Sequence, residues 1–308
     1  MPRATATTTA ATLLAGALAL APSAAAAPPR AVTVPCGAVL TTSVRLAADV
    51  VCPEGDGVVL AADGIELNLN GHALTGPGTG AGTVGVRVLA RDVVVRNGTV
   101  AGWSVGVLAG TDPYDDVDDE PEDGEQPVRA VVRQGRLEGN GVGAAARLGG
   151  VLVVLDTWFT GNRLAGSAST GGDLFVGGST ADRNESGFRS AEVDGDGLVL
   201  RDTTVRRSRG AGVSCDQGGQ ASLKRTTLQR NGTGVDAFQC SVRIADSAFT
   251  WNGRHVTASL VEWDVVAFRC TTFTADGGPL GVPLRPCHRP PGGDTSPGTR
   301  VTGTFDAL

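Results

Sequence analysis

The residues best suited to chemistry recur at near-constant intervals. One step before a repeated Asn-type residue, the chain reads Gly139, Gly161, Arg183, Arg207, Arg230, Trp251 and Ala275. Guanidinium forks grip carboxylate or sulfate, and an exposed indole stacks on the apolar face of a sugar. Arg183, Arg207, Arg230 and Trp251 are therefore candidate substrate-binding residues, with Trp158 as a further outward aromatic two or three rungs away. A second column, six residues before the same Asn-type positions, reads Asp156, Gly178, Asp202, Arg225, Asp246 and Cys270. Asp202 and Asp246 flank Arg225, and paired carboxylates are the groups a glycosidase needs. The plain alternative is a surface ion-pair ladder, because Arg225 keeps both carboxylates charged.

These columns exist only if the chain winds as a coil. The Asn-type positions are Asn140, Asn162, Asn184, Ser208, Asn231, Asn252 and Asp276, spaced 22, 22, 24, 23, 21 and 24 apart. That period marks a solenoid. The apolar residue three before each Asn points inward and its neighbours point out. Short β-branched runs such as Ile65 to Leu69, Val84 to Val88 and Val93 to Val95 alternate with Gly and Asn, without helical period. Asn and Gly at the corners are expected to supply left-handed backbone. Parallel rungs about 4.8 Å apart would set Asp202 and Asp246 about 10 Å from each other.

The stretches NLNGHALTG and GVRVLARDVVVRNGTVAGWSVGV, with the later coils, resemble the right-handed parallel β-helix repeat proteins of the pectate-lyase-like superfamily, secreted and bacterial. The resemblance covers residues 58–278 and implies a single-domain all-β solenoid. It implies no particular reaction, since this fold hosts lyases, hydrolases, epimerases and adhesins. The paired-aspartate and Gly-His-Gly pattern of polygalacturonases is absent, as are the Asp-Pro-His-Glu pattern of alginate epimerases and the Arg-x-Pro-x-x-Arg signature of pectate lyases.

Composition agrees with such a coil: 45 glycines, one tyrosine, one methionine and eight phenylalanines suit small inward residues and many turns. Lys224 is the one lysine among 26 basic residues. Residues 1–26 read as a signal peptide, with a basic Arg3, an apolar run too short to span a membrane, and small residues before the cut. Secretion without a membrane span is expected. Residues 27–57 form an N-terminal cap, and 279–308 a Pro-rich tail. In an exported chain the six cysteines should form disulfides. Proximity along the coil pairs Cys36 with Cys52, Cys215 with Cys240, and Cys270 with Cys287.

The formal charge of −6 is dominated by nine carboxylates between Asp112 and Glu125, in an insertion at 111–127. A solvated acidic loop is the favoured reading over Ca²⁺ binding, since the spacing fits no calcium motif. No cofactor is expected. His72, His255 and His288 are scattered, with no cysteine pair at ligand spacing, so no zinc site is read. The expected partner is an extracellular polysaccharide, possibly acidic, bound by a monomer; nucleic acid is not expected. A polysaccharide lyase, epimerase or hydrolase, and an adhesive scaffold, are the alternatives.

Overall fold

The computed structural model describes residues 30–111, 127–193, 195–259, 265–275, 278–279, 299–301 and 304–307. Among them there is no helix, and the strands form three sheets that wrap one core as a parallel β-solenoid. The first sheet has twelve strands, from Ala31–Val32 to Thr299–Val301. The second, a narrow sheet, has eleven, from Val50–Val51 to Gly278–Pro279, and most of its strands are three residues long. The third has eleven, from Ala38–Leu40 to Thr304–Ala307. Strands of the N-terminal segment already wind with the coil, Ala38 opposite Val58 and Val50 opposite Leu74. At the other end three antiparallel pairings replace the parallel ones, Thr299–Val301, Thr304–Ala307 and Gly278–Pro279 each lying on the last coil. They cover edges that would otherwise present unpaired backbone groups.

Alternation drives the winding. In the narrow sheet the central residue of each triplet is inside: Leu137, Phe159, Ala181, Val205, Leu228 and Phe249 are all buried. These residues stack rung on rung, and Phe159 meets Phe188 edge-on at 5.2 Å. At about 25 cal/mol per Å² of apolar area buried, such a column holds the coil far better than its three-residue strands could alone.

Two ladders of polar side chains flank the narrow sheet. At its exit, Asn140, Asn162, Asn184 and Asn231 are buried, Asn252 is partly so, and the amides join successive rungs. Asn162 Oδ1 accepts from the Asn140 backbone N–H at 2.9 Å, while Asn162 Nδ2 donates to the Leu137 carbonyl at 2.8 Å. The pattern repeats from Asn184 to Asn162 and from Asn252 to Asn231. Trp103 fills the same column one rung earlier. Its backbone N–H donates to Asn140 Oδ1 at 3.0 Å and its indole Nε1 donates to the Leu74 carbonyl at 3.1 Å. The expectation that Asn itself takes the left-handed corner is thus corrected. The positive φ falls on the residue before it: 56° at Arg183, 55° at Arg207, 54° at Arg230 and 54° at Trp251. The amide is needed inside, where corner backbone groups have no water to bond.

At the sheet's entrance Thr157, Ser179, Thr203, Thr226, Ser247 and Thr271 are buried in a second column. Each hydroxyl donates to the carbonyl two residues back, as Ser179 to Gly177 at 2.9 Å. Some also accept a neighbouring N–H, as Ser247 Oγ does from Thr226 at 3.1 Å. Again the residue before carries positive φ, 51° at Asp202, 51° at Arg225 and 52° at Asp246. The Cys36–Cys52 and Cys215–Cys240 disulfides are present, with Cα atoms 5.7 Å and 5.9 Å apart. Cys287 lies outside the described residues, as do residues 1–26 and His288. Positions 112–126 of the acidic insertion are likewise outside. On either side of that insertion the strands stay in register, Val132 facing both Val95 and Val154.

Candidate functional site

The outer surface of the narrow sheet is four columns wide. Its margins are the two left-handed columns, and its middle is the pair of outward residues from each strand, such as Thr204 and Arg206. Residues in left-handed backbone splay outward while the next residue turns in, so a ladder residue inside is paired with an outward-directed position before it.

On the exit margin the arginine row is not uniform. Arg207 binds Asp182 through both oxygens, Nε to Oδ1 at 2.7 Å and Nη2 to Oδ2 at 2.5 Å. Arg206 adds a contact to Asp182 Oδ2 at 3.4 Å. Burial alone would push the Asp182 carboxyl up, but the Arg207 bonds and the charges of Arg206, Arg207 and Arg183 hold it below the usual carboxylate range. Arg183 and Arg230 are exposed and make no ion pair with the described residues. Arg230 instead stacks on Trp251, its guanidinium carbon 4.9 Å from the ring centroid. Such a contact contributes about 0.5–1 kcal/mol at an exposed site and fixes the orientation of both groups.

On the opposite margin Arg225 forks onto Asp202, Nε to Oδ1 at 2.5 Å and Nη2 to Oδ2 at 2.6 Å. The Arg225 hydrogen bond keeps the Asp202 carboxyl below its usual range. Asp246 lies two rungs on, 3.9 Å from Arg269. Asp202 and Asp246 are both exposed, so neither has the dry environment that keeps a catalytic acid protonated. Cys270 ends this column, 51° in φ.

Strand register places the aromatics. Trp158 faces Thr180, which faces Thr204, then Thr227, then Ala248 in the strand that leads to Trp251. Trp158 is thus four rungs from Trp251, not two or three, about 19 Å along the axis. It also belongs to the first strand column, not the exit margin. Beside it lies a concavity bordered by Asn97, Gln134, Asp156 and Arg136, of which the repeat pattern had singled out Asp156 alone. The available signal was two stacked glycines, Gly98 and Gly135, where later coils carry Thr or Ser.

The histidines divide in two. His72 is half-buried at the surface, its Nδ1 3.1 Å from Asp49 Oδ1. His255 is buried inside the third sheet, opposite Gly234 and packed against Phe249 and Phe273. Burial lowers its basicity. Among the described residues no cluster of three or more His, Cys, Asp or Glu is placed to hold a metal ion, and no helix is long and apolar enough to cross a membrane. No protein-family model, curated protein or solved structure matches the chain.

Proposed function

We propose that this chain is a secreted, right-handed β-helix protein similar to the pectate-lyase-like superfamily, which binds an acidic extracellular polysaccharide along the narrow face without transforming it. The observation that carries the reading is the exit margin itself. Gly139 and Gly161 occupy the left-handed positions of two early rungs, at φ 61° and 65°, where glycine fits without strain. The next four rungs place Arg183, Arg207, Arg230 and Trp251 in the same backbone. The entrance margin has the same left-handed backbone at Asp202, Arg225 and Asp246. What sets the exit margin apart is that Arg183 and Arg230 stay exposed without an ion pair among the described residues, with Arg230 stacked on Trp251, while Arg207 is tied to Asp182.

The Arg230–Trp251 stack supports it further. It presents a cation and an apolar ring together, suited to a sugar that carries a carboxylate or sulfate. Two disulfides agree with an oxidising location. Hydrolysis, lyase or epimerase chemistry by Asp202, Asp246 and Arg225 is less well supported, since the fork holds Asp202 ionised in open solvent.

The test is a titration of the chain with polygalacturonate, alginate and a sulfated polysaccharide at low and high salt, alongside Trp251→Ala. Binding to at least one, weakened by salt in both proteins and weaker throughout in Trp251→Ala, is the expected result. Retention of full affinity without Trp251, or no binding to any of them, counts against the reading.

A further inference from the structure

Beside Trp158 the surface dips into a shallow, open hollow of about 490 Å³, and its cause is legible in the backbone. Later rungs fill the entrance corner with the buried Thr/Ser ladder, whereas here the corner is Gly98 and Gly135. A Cβ on Gly98 would lie 2.3 Å from the Leu69 Cβ and 2.5 Å from the His72 carbonyl oxygen, so this rung accepts only glycine. A Cβ on Gly135 would meet only the Gly98 carbonyl oxygen, at 3.4 Å. The floor is therefore bare main chain.

One wall is the Trp158 indole, 44% exposed although it stands in a sheet. The other is the left-handed margin, where Asn97, Gln134 and Asp156 have φ of 58°, 55° and 48°. Asp156 differs from Asp202 in having no cation bound to it among the described residues. Gly178 leaves it room, since a Cβ there would sit 2.6 Å from Asp156 Oδ1. Arg136 faces Trp158 in register and is 3.4 Å from Glu138, which offsets its charge.

We infer that this concavity is a subsite for an uncharged hexopyranose residue of the same glycan, a proposal that rests on reading the narrow face as glycan-binding. The indole takes the C–H face of the ring. The free Asp156 carboxylate accepts from two neighbouring hydroxyls, and the Asn97 and Gln134 amides both donate and accept. A uronate is disfavoured, because Asp156 leaves the concavity with a net negative charge once Arg136 and Glu138 cancel. The glycan then runs along the axis, with an uncharged residue at Trp158 and acidic residues about 14–19 Å further on at Arg230 and Trp251.

The experiment titrates the chain with uncharged hexasaccharides of β-1,4-glucan, β-1,4-mannan and β-1,4-galactan, followed by calorimetry and tryptophan fluorescence. Trp158→Ala, Asp156→Ala and Gly135→Leu are compared with the parent, the last filling the floor from a position with open space above it. The parent is expected to bind at least one hexasaccharide with little dependence on salt. Each variant is expected to weaken that binding by about tenfold or more, and Gly135→Leu, far along the axis from Trp251, is expected to leave retention on the acidic polysaccharide in place. Binding of acidic polymer without any uncharged hexasaccharide overturns the subsite and leaves the wider function standing. Hexasaccharide binding that survives in Trp158→Ala and Gly135→Leu overturns it as well. Failure of both ligand types overturns the two readings together.

Discussion

Arg207 holds Asp182 with two parallel bonds across adjacent rungs, and this pairing divides the arginine row by role. The Asp182 side chain is only 8% exposed, so its charge depends on that fork. Arg183 and Arg230, one rung to either side, are left to face solvent.

Breaking the fork should cost stability more than binding. Arg207→Gln leaves a mostly buried carboxylate with only Arg206 at 3.4 Å. Its melting temperature is expected to fall by a few degrees, with affinity for acidic polysaccharide little changed. Differential scanning calorimetry of Arg207→Gln beside Arg183→Gln checks this: the first should melt earlier, the second with the parent.

Among the described residues from Asn140 to Asn252, the Asn ladder has one gap. Ser208 stands where the column needs an amide, and its buried Oγ has no hydrogen-bond partner. Ser208→Asn would offer Oδ1 to the Asn184 N–H and Nδ2 to the Ala181 carbonyl, as Asn231 does for Ser208 and Val205. A gain of about 1–2 kcal/mol is expected, read as a higher urea midpoint at unchanged m. An unchanged or lower midpoint contradicts the ladder's stabilising role.

Period and fold were legible because one side-chain type, Asn, repeats where one backbone event repeats. The hydroxyl column was as regular, with Thr157, Ser179, Thr203, Thr226, Ser247 and Thr271 spaced 22, 24, 23, 21 and 24 apart. Short hydroxyl residues suit surface turns equally well, so their inward direction is not readable without the left-handed residue before each. Nor was the division of the arginine row readable. Asp182 is the outward acid of its strand, where the same position holds Thr160 one rung before and Arg206 one rung after. Which arginine it captures depends on the direction of side chains across a rung, and local sequence does not encode that.

Acid should destabilise the chain in two stages. His255 is buried against Phe249 and Phe273, and its pKa lies below the model-peptide value of 6.5. Above 6.5 it is neutral whether folded or unfolded and adds no pH dependence. As pH falls below 6.5 only the unfolded chain takes the proton, so stability drops until the folded pKa is passed. Asp49, Asp63, Asp182 and Asp202 have lowered pKa values, so their contribution is present above 3.8 and lost below it. Thermal melts from pH 7.5 to 3 should therefore decline first below 6.5, and His255→Gln should remove that first decline alone.

The Cys36–Cys52 bridge closes a loop of 16 residues at the first coils. Cys36→Ser with Cys52→Ser is expected to cost about 3 kcal/mol, chiefly through the freer unfolded chain. Chemical denaturation of the double variant under oxidising conditions measures the loss.

The most direct test of the functional account is the salt dependence of polysaccharide binding in Arg183→Gln with Arg230→Gln. Exposed cations act through screened charge, so the dependence of affinity on ionic strength counts those in contact. The account predicts that this double variant binds an acidic polysaccharide more weakly and with a shallower salt slope than the parent. It also predicts that Arg207→Gln keeps the parent's slope. Equal slopes and equal affinities in the parent and the double variant would contradict it.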